Sequence, residues 1–179
     1  MLAIAALCLA PFIAALIAYY WWQPQRAMNY GELIPAHPLI DPPLSHLDRR
    51  VFKLSELKGK WVLLQLDEAD CPAACQGKLY NMRQVRIAQG REMERVERVW
   101  LILDDAPLQT QLMREYDGTR MLRAAGSPMI AEFPPSGSVR DHIYLIDPLG
   151  NLMLRFPKNA DPRKMHKDLA RLLKVSRIG

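Results

Sequence analysis

Hydrophobic and polar positions divide the chain into stretches of different character. Met1 to Trp22 is apolar throughout, interrupted only by Pro11. From Gln23 to Pro43 the periodicity disappears and Pro24, Pro35, Pro38, Pro42 and Pro43 crowd the segment, a pattern that predicts an extended, semi-rigid tether. Leu54 to Lys60 predicts a turn leading into Trp61–Leu66, a short apolar run suited to a buried strand. Cys71 to Gln89 predicts a helix, with Leu79, Met82 and Val85 three apart and Pro72 favourable in its first turn. Val99–Leu103 predicts a second buried strand, and Leu108–Tyr116 a second helix stopped by Asp117-Gly118. Residues 124–128 and 134–138 predict loops. His142–Ile146 and Asn151–Arg155, joined by Asp147-Pro-Leu-Gly150, predict a β-hairpin. A last helix opens at Asp161-Pro162, its Met165, Leu169, Leu172 and Leu173 forming one apolar stripe.

The order is therefore strand, helix, strand, helix, hairpin, helix. That is the thioredoxin plan, an α/β fold with a mixed sheet flanked by helices. The expected organisation is a transmembrane anchor over 1–22, a Pro-rich tether over 23–48 and a thioredoxin-like domain over 49–179. A bilayer core of ~30 Å needs about 20 apolar residues, so the first segment is long enough to span. Tyr19, Tyr20, Trp21 and Trp22 close it with the aromatic cluster expected at a membrane interface. These bulky residues stand where a cleaved signal peptide needs small ones, which favours a retained anchor over cleavage near Ala27. Charge sharpens the division, because all 24 basic and 19 acidic side chains lie from Arg26 onward. The aliphatic content and only three cysteines exclude a disordered chain, a collagen and a disulfide-dense miniprotein.

The chemistry concentrates in Cys71-Pro-Ala-Ala-Cys75. Placed after a buried strand and at a helix start, its two sulfurs are i and i+4 and share one helix face. The positive end of the helix dipole favours the thiolate, the form needed for disulfide exchange or for gripping a soft ion such as Cu(I). A plain stabilising disulfide in an oxidising compartment is the alternative. The third cysteine, Cys8, is a small apolar residue of the anchor, so a four-ligand zinc site is not expected. His142, at the predicted entry to the hairpin, is the candidate third metal ligand, with Asp141 as the group that would orient its imidazole. His37 and His46 are expected as exposed loop residues.

The motifs Lys58-Gly-Lys-Trp-Val-Leu-Leu64, Cys71-Pro-x-x-Cys75, Asp141-His142 and Tyr144-Leu-Ile-Asp-Pro-x-Gly150 resemble those of the Sco/SenC proteins. Those are membrane-tethered, thioredoxin-fold proteins that bind copper and help mature the copper centre of cytochrome c oxidase. The resemblance covers residues 50–175. It implies copper and redox roles for Cys71 and Cys75, His142 as third ligand, and a cytochrome c oxidase subunit as client. The chain departs from the family pattern at Glu68-Ala69-Asp70, Ala73 and Gln76, and in the short spacing from His142 to Tyr144. Asp67, Glu68 and Asp70 are expected to raise the thiol pKa by repulsion or to add oxygen ligands.

The expected function is that of a copper-binding, thiol-redox assembly factor for a respiratory copper oxidase, on the periplasmic side of the inner membrane as a single-pass protein. The alternatives are a thiol–disulfide oxidoreductase acting on protein cysteines and a tethered scaffold with a static disulfide. Mixed-sign charges from Arg83 to Arg98 and the basic residues of the last helix read as solvated surface. No phosphate-cradling glycine loop or aromatic-interleaved basic stripe appears, so nucleotides and nucleic acids are not expected partners.

Overall fold

The structure is a computed structural model describing residues 2–21, 29–134, 136–176 and 178. Helix α1 spans Leu2–Trp21 with Pro11 inside it, as the apolar run predicts, with side chains described for residues 9–19. Among the described residues no helix is long and apolar enough to cross a membrane. Residue 22 and residues 23–28 of the predicted tether lie outside the described residues.

Eight strands form one mixed sheet. In chain order they are β1 (Glu32–Pro38), β2 (Leu44–His46), β3 (Val51–Phe52), β4 (Trp61–Asp67), β5 (Val96–Ile102), β6 (Arg120–Arg123), β7 (Ile143–Ile146) and β8 (Asn151–Phe156), arranged β1-β8-β7-β4-β5-β6-β2-β3. Strands β4, β5 and β6 are parallel; β7 runs antiparallel to β4, and β8 to β7. Helices α2 (Ala73–Ala88), α3 (Thr110–Glu115) and α4 (Pro162–Val175) complete the domain. The thioredoxin-like plan expected from the strand–helix order is the one observed.

β4 reads as a continuous apolar run because both its faces are covered. Trp61 and Leu63 face a core with Leu79, Met82 and Val85 of α2 and Met165, Leu169 and Leu173 of α4. Val62, Leu64 and Leu66 face a second core with Phe52, Leu57, Met129, Phe133 and Tyr144. β5 begins at Val96, earlier than the sequence pattern indicates, because Glu97 and Arg98 mask a strand whose next four residues, Val99 to Ile102, are buried.

The Pro-rich segment corrects the expected boundary at residue 48. Glu32–Pro38 and Leu44–His46 are strands of the sheet, not tether. Pro35 and Pro38 are tolerated because β1 is an edge strand, where a missing N–H disrupts no second ladder, and its register with β8 shifts between Leu33 and His37. This stretch is also tied to the domain upstream. Gly31 N donates to Asp168 Oδ2 at 2.8 Å, Asp161 N donates to the Tyr30 hydroxyl at 3.0 Å, and Glu32 pairs with Arg155.

Candidate functional site

β4 ends at Asp67, and five residues carry the chain into α2, with Pro72 as an extended N-cap. Cys71 closes this turn in a left-handed conformation (φ 39°), its N–H donating to Glu68 O at 3.2 Å. Such a backbone is uncommon for a residue with a Cβ and needs support from its surroundings. Gln76 Nε2 supplies part of it, donating to Cys71 O at 3.0 Å, and Ala69 N donates to Asp104 Oδ1 at 3.1 Å. Cys75 is the third residue of α2, and Cys71 and Cys75 are joined as a disulfide with Cα atoms 5.1 Å apart. Both cysteines are fully buried, beneath exposed Pro72, Ala73 and Ala74.

Below the disulfide lies a polar group in an otherwise apolar strand. Gln65 of β4 is fully buried, and its Nε2 donates to Cys75 Sγ at 3.5 Å. Its Oε1 is buried and has no hydrogen-bond partner.

Beside the disulfide is a buried ion cluster. Asp67 accepts from Lys78 Nζ at 3.0 Å on Oδ2 and from Arg140 Nε at 2.8 Å on Oδ1. Lys78, one turn after Cys75, also donates to the carbonyls of Leu66 and Arg140. Burial pulls its ammonium below the ordinary lysine value, opposed by the attraction of Asp67. Arg140 Nη1 reaches Glu68 Oε1 at 2.8 Å. Asp67 and Glu68, expected to repel a thiolate or to bind metal, are thus spent on Lys78 and Arg140; Asp70 is exposed. A cleft of about 280 Å³ runs along this side of α2, between Ala73, Ala74 and Gly77 and the Pro157–Ala160 turn.

His142 is not brought to the cysteines. Ile143 and Leu145 belong to the core that holds Cys71 and Cys75, whereas Tyr144 and Ile146 face the other, and strand alternation puts His142 on the Tyr144 side. Its ring meets Tyr144 edge-on at 6.0 Å. Nδ1 meets Phe156 O at 2.9 Å, and Nε2 meets Ser136 O at 3.1 Å and Ser136 N at 3.3 Å. Both nitrogens of the buried imidazole are therefore engaged. Asp141 pairs instead with Lys158 Nζ at 3.0 Å; that hydrogen bond holds its carboxyl below the usual carboxylate range. Among the described residues no group of three or more His, Cys, Asp or Glu side chains is gathered as metal ligands.

Residues 61–176 match the family model described as transmembrane-like, thioredoxin-like, C-terminal domain. The chain belongs to this family. Its fold is shared with yeast Sco1 with copper bound, at 15% identity and TM-score 0.64, over 78% of this chain and 94% of that one. Bradyrhizobium japonicum ScoI with copper bound aligns at 20% identity and TM-score 0.57, over 75% of this chain and 99% of that one. BsSco, a Sco-family cytochrome c oxidase assembly protein with an identified disulfide switch, aligns at 15% identity and TM-score 0.58, over 79% and 96%. The resemblance to the Sco/SenC proteins thus extends to the fold. A comparison with curated proteins finds no match.

Gln65, Lys78 and Arg140 are absent from the sequence-based candidates. For Gln65 the signal was present, as the one amide in the run Trp61-Val-Leu-Leu-Gln-Leu66. Lys78 and Arg140 gave none, because a lysine on a helix and an arginine in a loop acquire meaning only through Asp67.

Proposed function

We propose that this family member is a membrane-tethered thiol-redox protein that serves the assembly of a respiratory copper oxidase. Its Cys71–Cys75 couple exchanges with the metal-binding cysteines of a client. The observation that carries this reading is the disulfide closed across the start of α2, with a buried amide on one sulfur. The sulfurs are buried, so exchange follows displacement of the exposed Pro72–Ala74 turn above them. A domain outside the cytoplasm suits a disulfide that persists. The exposed apolar side chains of α1, Leu9, Phe12, Ile13, Leu16 and Ile17 among them, support its role as the anchor.

The test is the reduction potential of the couple in the full chain, equilibrated with dithiol buffers. A value in the range of exchanging couples supports the reading. A value far below about −300 mV marks a structural disulfide and overturns it.

Copper handling is the second reading, favoured by the copper-bound structures that share the fold. Once reduced, Cys71 and Cys75 offer two soft sulfur donors, a set that suits Cu(I) better than harder ions. With both nitrogens of His142 engaged, the two thiolates would carry this cargo. Anaerobic titration of the reduced chain with Cu(I) tests it. No binding at one equivalent, or binding unchanged in Cys71→Ser/Cys75→Ser, overturns it.

A further inference from the structure

Gln65 is the one amide in a β4 run whose other residues from Trp61 to Leu66 are apolar, and it is fully buried. A buried amide whose carbonyl oxygen has no donor is costly, and such groups call for an explanation. Here the donor half meets a disulfide sulfur, which is a weak acceptor, while Oε1 has no partner. The arrangement suits the reduced pair better than the oxidised one. A Cys75 thiolate accepts more strongly from Nε2–H than a disulfide sulfur does, and a thiol S–H gives Oε1 the donor it lacks.

We propose that Gln65 stabilises the sulfur of Cys75 as it leaves the disulfide, and so sets the couple toward its reduced form. The inference rests on the exchange reading above. In the step, the thiolate of an external dithiol attacks Cys71 Sγ and forms a mixed disulfide. The Cys71–Cys75 bond breaks, and Cys75 Sγ departs with the bonding electron pair, its charge met by Gln65 Nε2–H. The second thiolate of the dithiol then attacks the first sulfur of that same molecule and releases Cys71 Sγ. The dithiol is oxidised to its disulfide, two electrons reach the protein, and the two protons lost by the dithiol end on Cys71 and Cys75. Cys71 is the sulfur attacked, because Cys75 is the one that carries the hydrogen bond needed by a leaving group.

The experiment equilibrates full-length wild type, Gln65→Leu and Gln65→Met with dithiothreitol buffers and follows the thiolate absorbance of the reduced proteins against pH. Both variants remove the amide at similar volume, and Gln65→Met serves where the branched side chain disturbs folding. The expected result is a shift of about tenfold toward the disulfide, equivalent to ~30 mV more negative, with thiolate formation moved to higher pH. A change in thermal stability with the potential and the thiol titration unmoved assigns Gln65 to the core and overturns the inference. Two failures are distinguishable. A wild-type potential far below about −300 mV removes the exchange reading and the inference with it; an exchanging wild type with unmoved variants removes only the inference.

Discussion

Replacing Asp67 by asparagine removes the charge paired directly with Lys78 and keeps the shape of the side chain. Lys78 Nζ lies 3.0 Å from Asp67 Oδ2, and the side chains are 11% and 4% exposed. Breaking a buried pair by removing one partner costs about 3–5 kcal/mol, because the other charge is left without compensation. Lys78 keeps the carbonyls of Leu66 and Arg140, and Arg140 keeps Glu68, which places Asp67→Asn near the lower bound, at about 3 kcal/mol. For a domain of this size, that lowers Tm by roughly 6–12 °C. The loss depends on pH. Burial already holds the Lys78 pKa below its unfolded value, so the cost of the buried ammonium is full below the folded pKa. It is relieved as pH rises from the folded to the unfolded value, where the unfolded chain binds more protons. Without Asp67 that window widens downward, so Asp67→Asn recovers part of its loss relative to the wild type as pH rises toward the unfolded lysine value. Urea unfolding of wild type, Asp67→Asn, Lys78→Met and the double variant measures both effects. Asp67→Asn/Lys78→Met, with no ammonium to strand, is expected to recover about 2 kcal/mol of the single-variant loss. A single variant within about 0.5 kcal/mol of wild type, or a double variant no better than the single, refutes the buried-charge argument.

Other consequences follow from single contacts. His142→Ala is expected to leave Cu(I) affinity of the reduced protein unchanged in competition with a chelator, while urea unfolding shows a loss of about 1–3 kcal/mol from stranding Phe156 O and Ser136 N; a weakened Cu(I) affinity would restore the imidazole as a ligand. Gly31→Ala places a Cβ 2.3 Å from Leu154 Cδ2, and thermal unfolding is expected to show an overpacking cost of about 1–3 kcal/mol, where a residue in a loose tether would show none. Burial pushes the Tyr144 phenol up to about 12; its contribution is complete below the unfolded value near 10 and is lost as pH rises to about 12. Tyr144→Phe should flatten that alkaline loss, measured as unfolding free energy against pH.

What the sequence revealed of this fold follows the number of buried faces. β4 is covered on both sides, so six consecutive residues from Trp61 carry the signal almost undiluted, and β7 is covered in the same way. β1 is an edge strand with a shifted register, its residues exposed or half-buried, and two prolines make it resemble the tether that precedes it. β6 has only Met121 and Leu122 buried between two arginines, too short a run for any period to emerge. The site divides on the same principle. A spacing of four after a strand is local information and points to the pair, but Cys71 joins Cys75 from the left-handed turn ahead of Pro72 and not from the helix face expected for i and i+4. A third ligand is tertiary information, and for His142 it turns on one residue of strand register. Each step along β7 exchanges one core for the other, so a histidine adjacent in sequence to Ile143, which shares the core of the cysteines, necessarily points to the opposite face. Once the hairpin is registered against β4 by the pairs Leu63–Leu145 and Leu64–Tyr144, the imidazole falls with Tyr144. It is then captured by Phe156 and Ser136, and the pair of sulfurs is left with Gln65 as its polar neighbour.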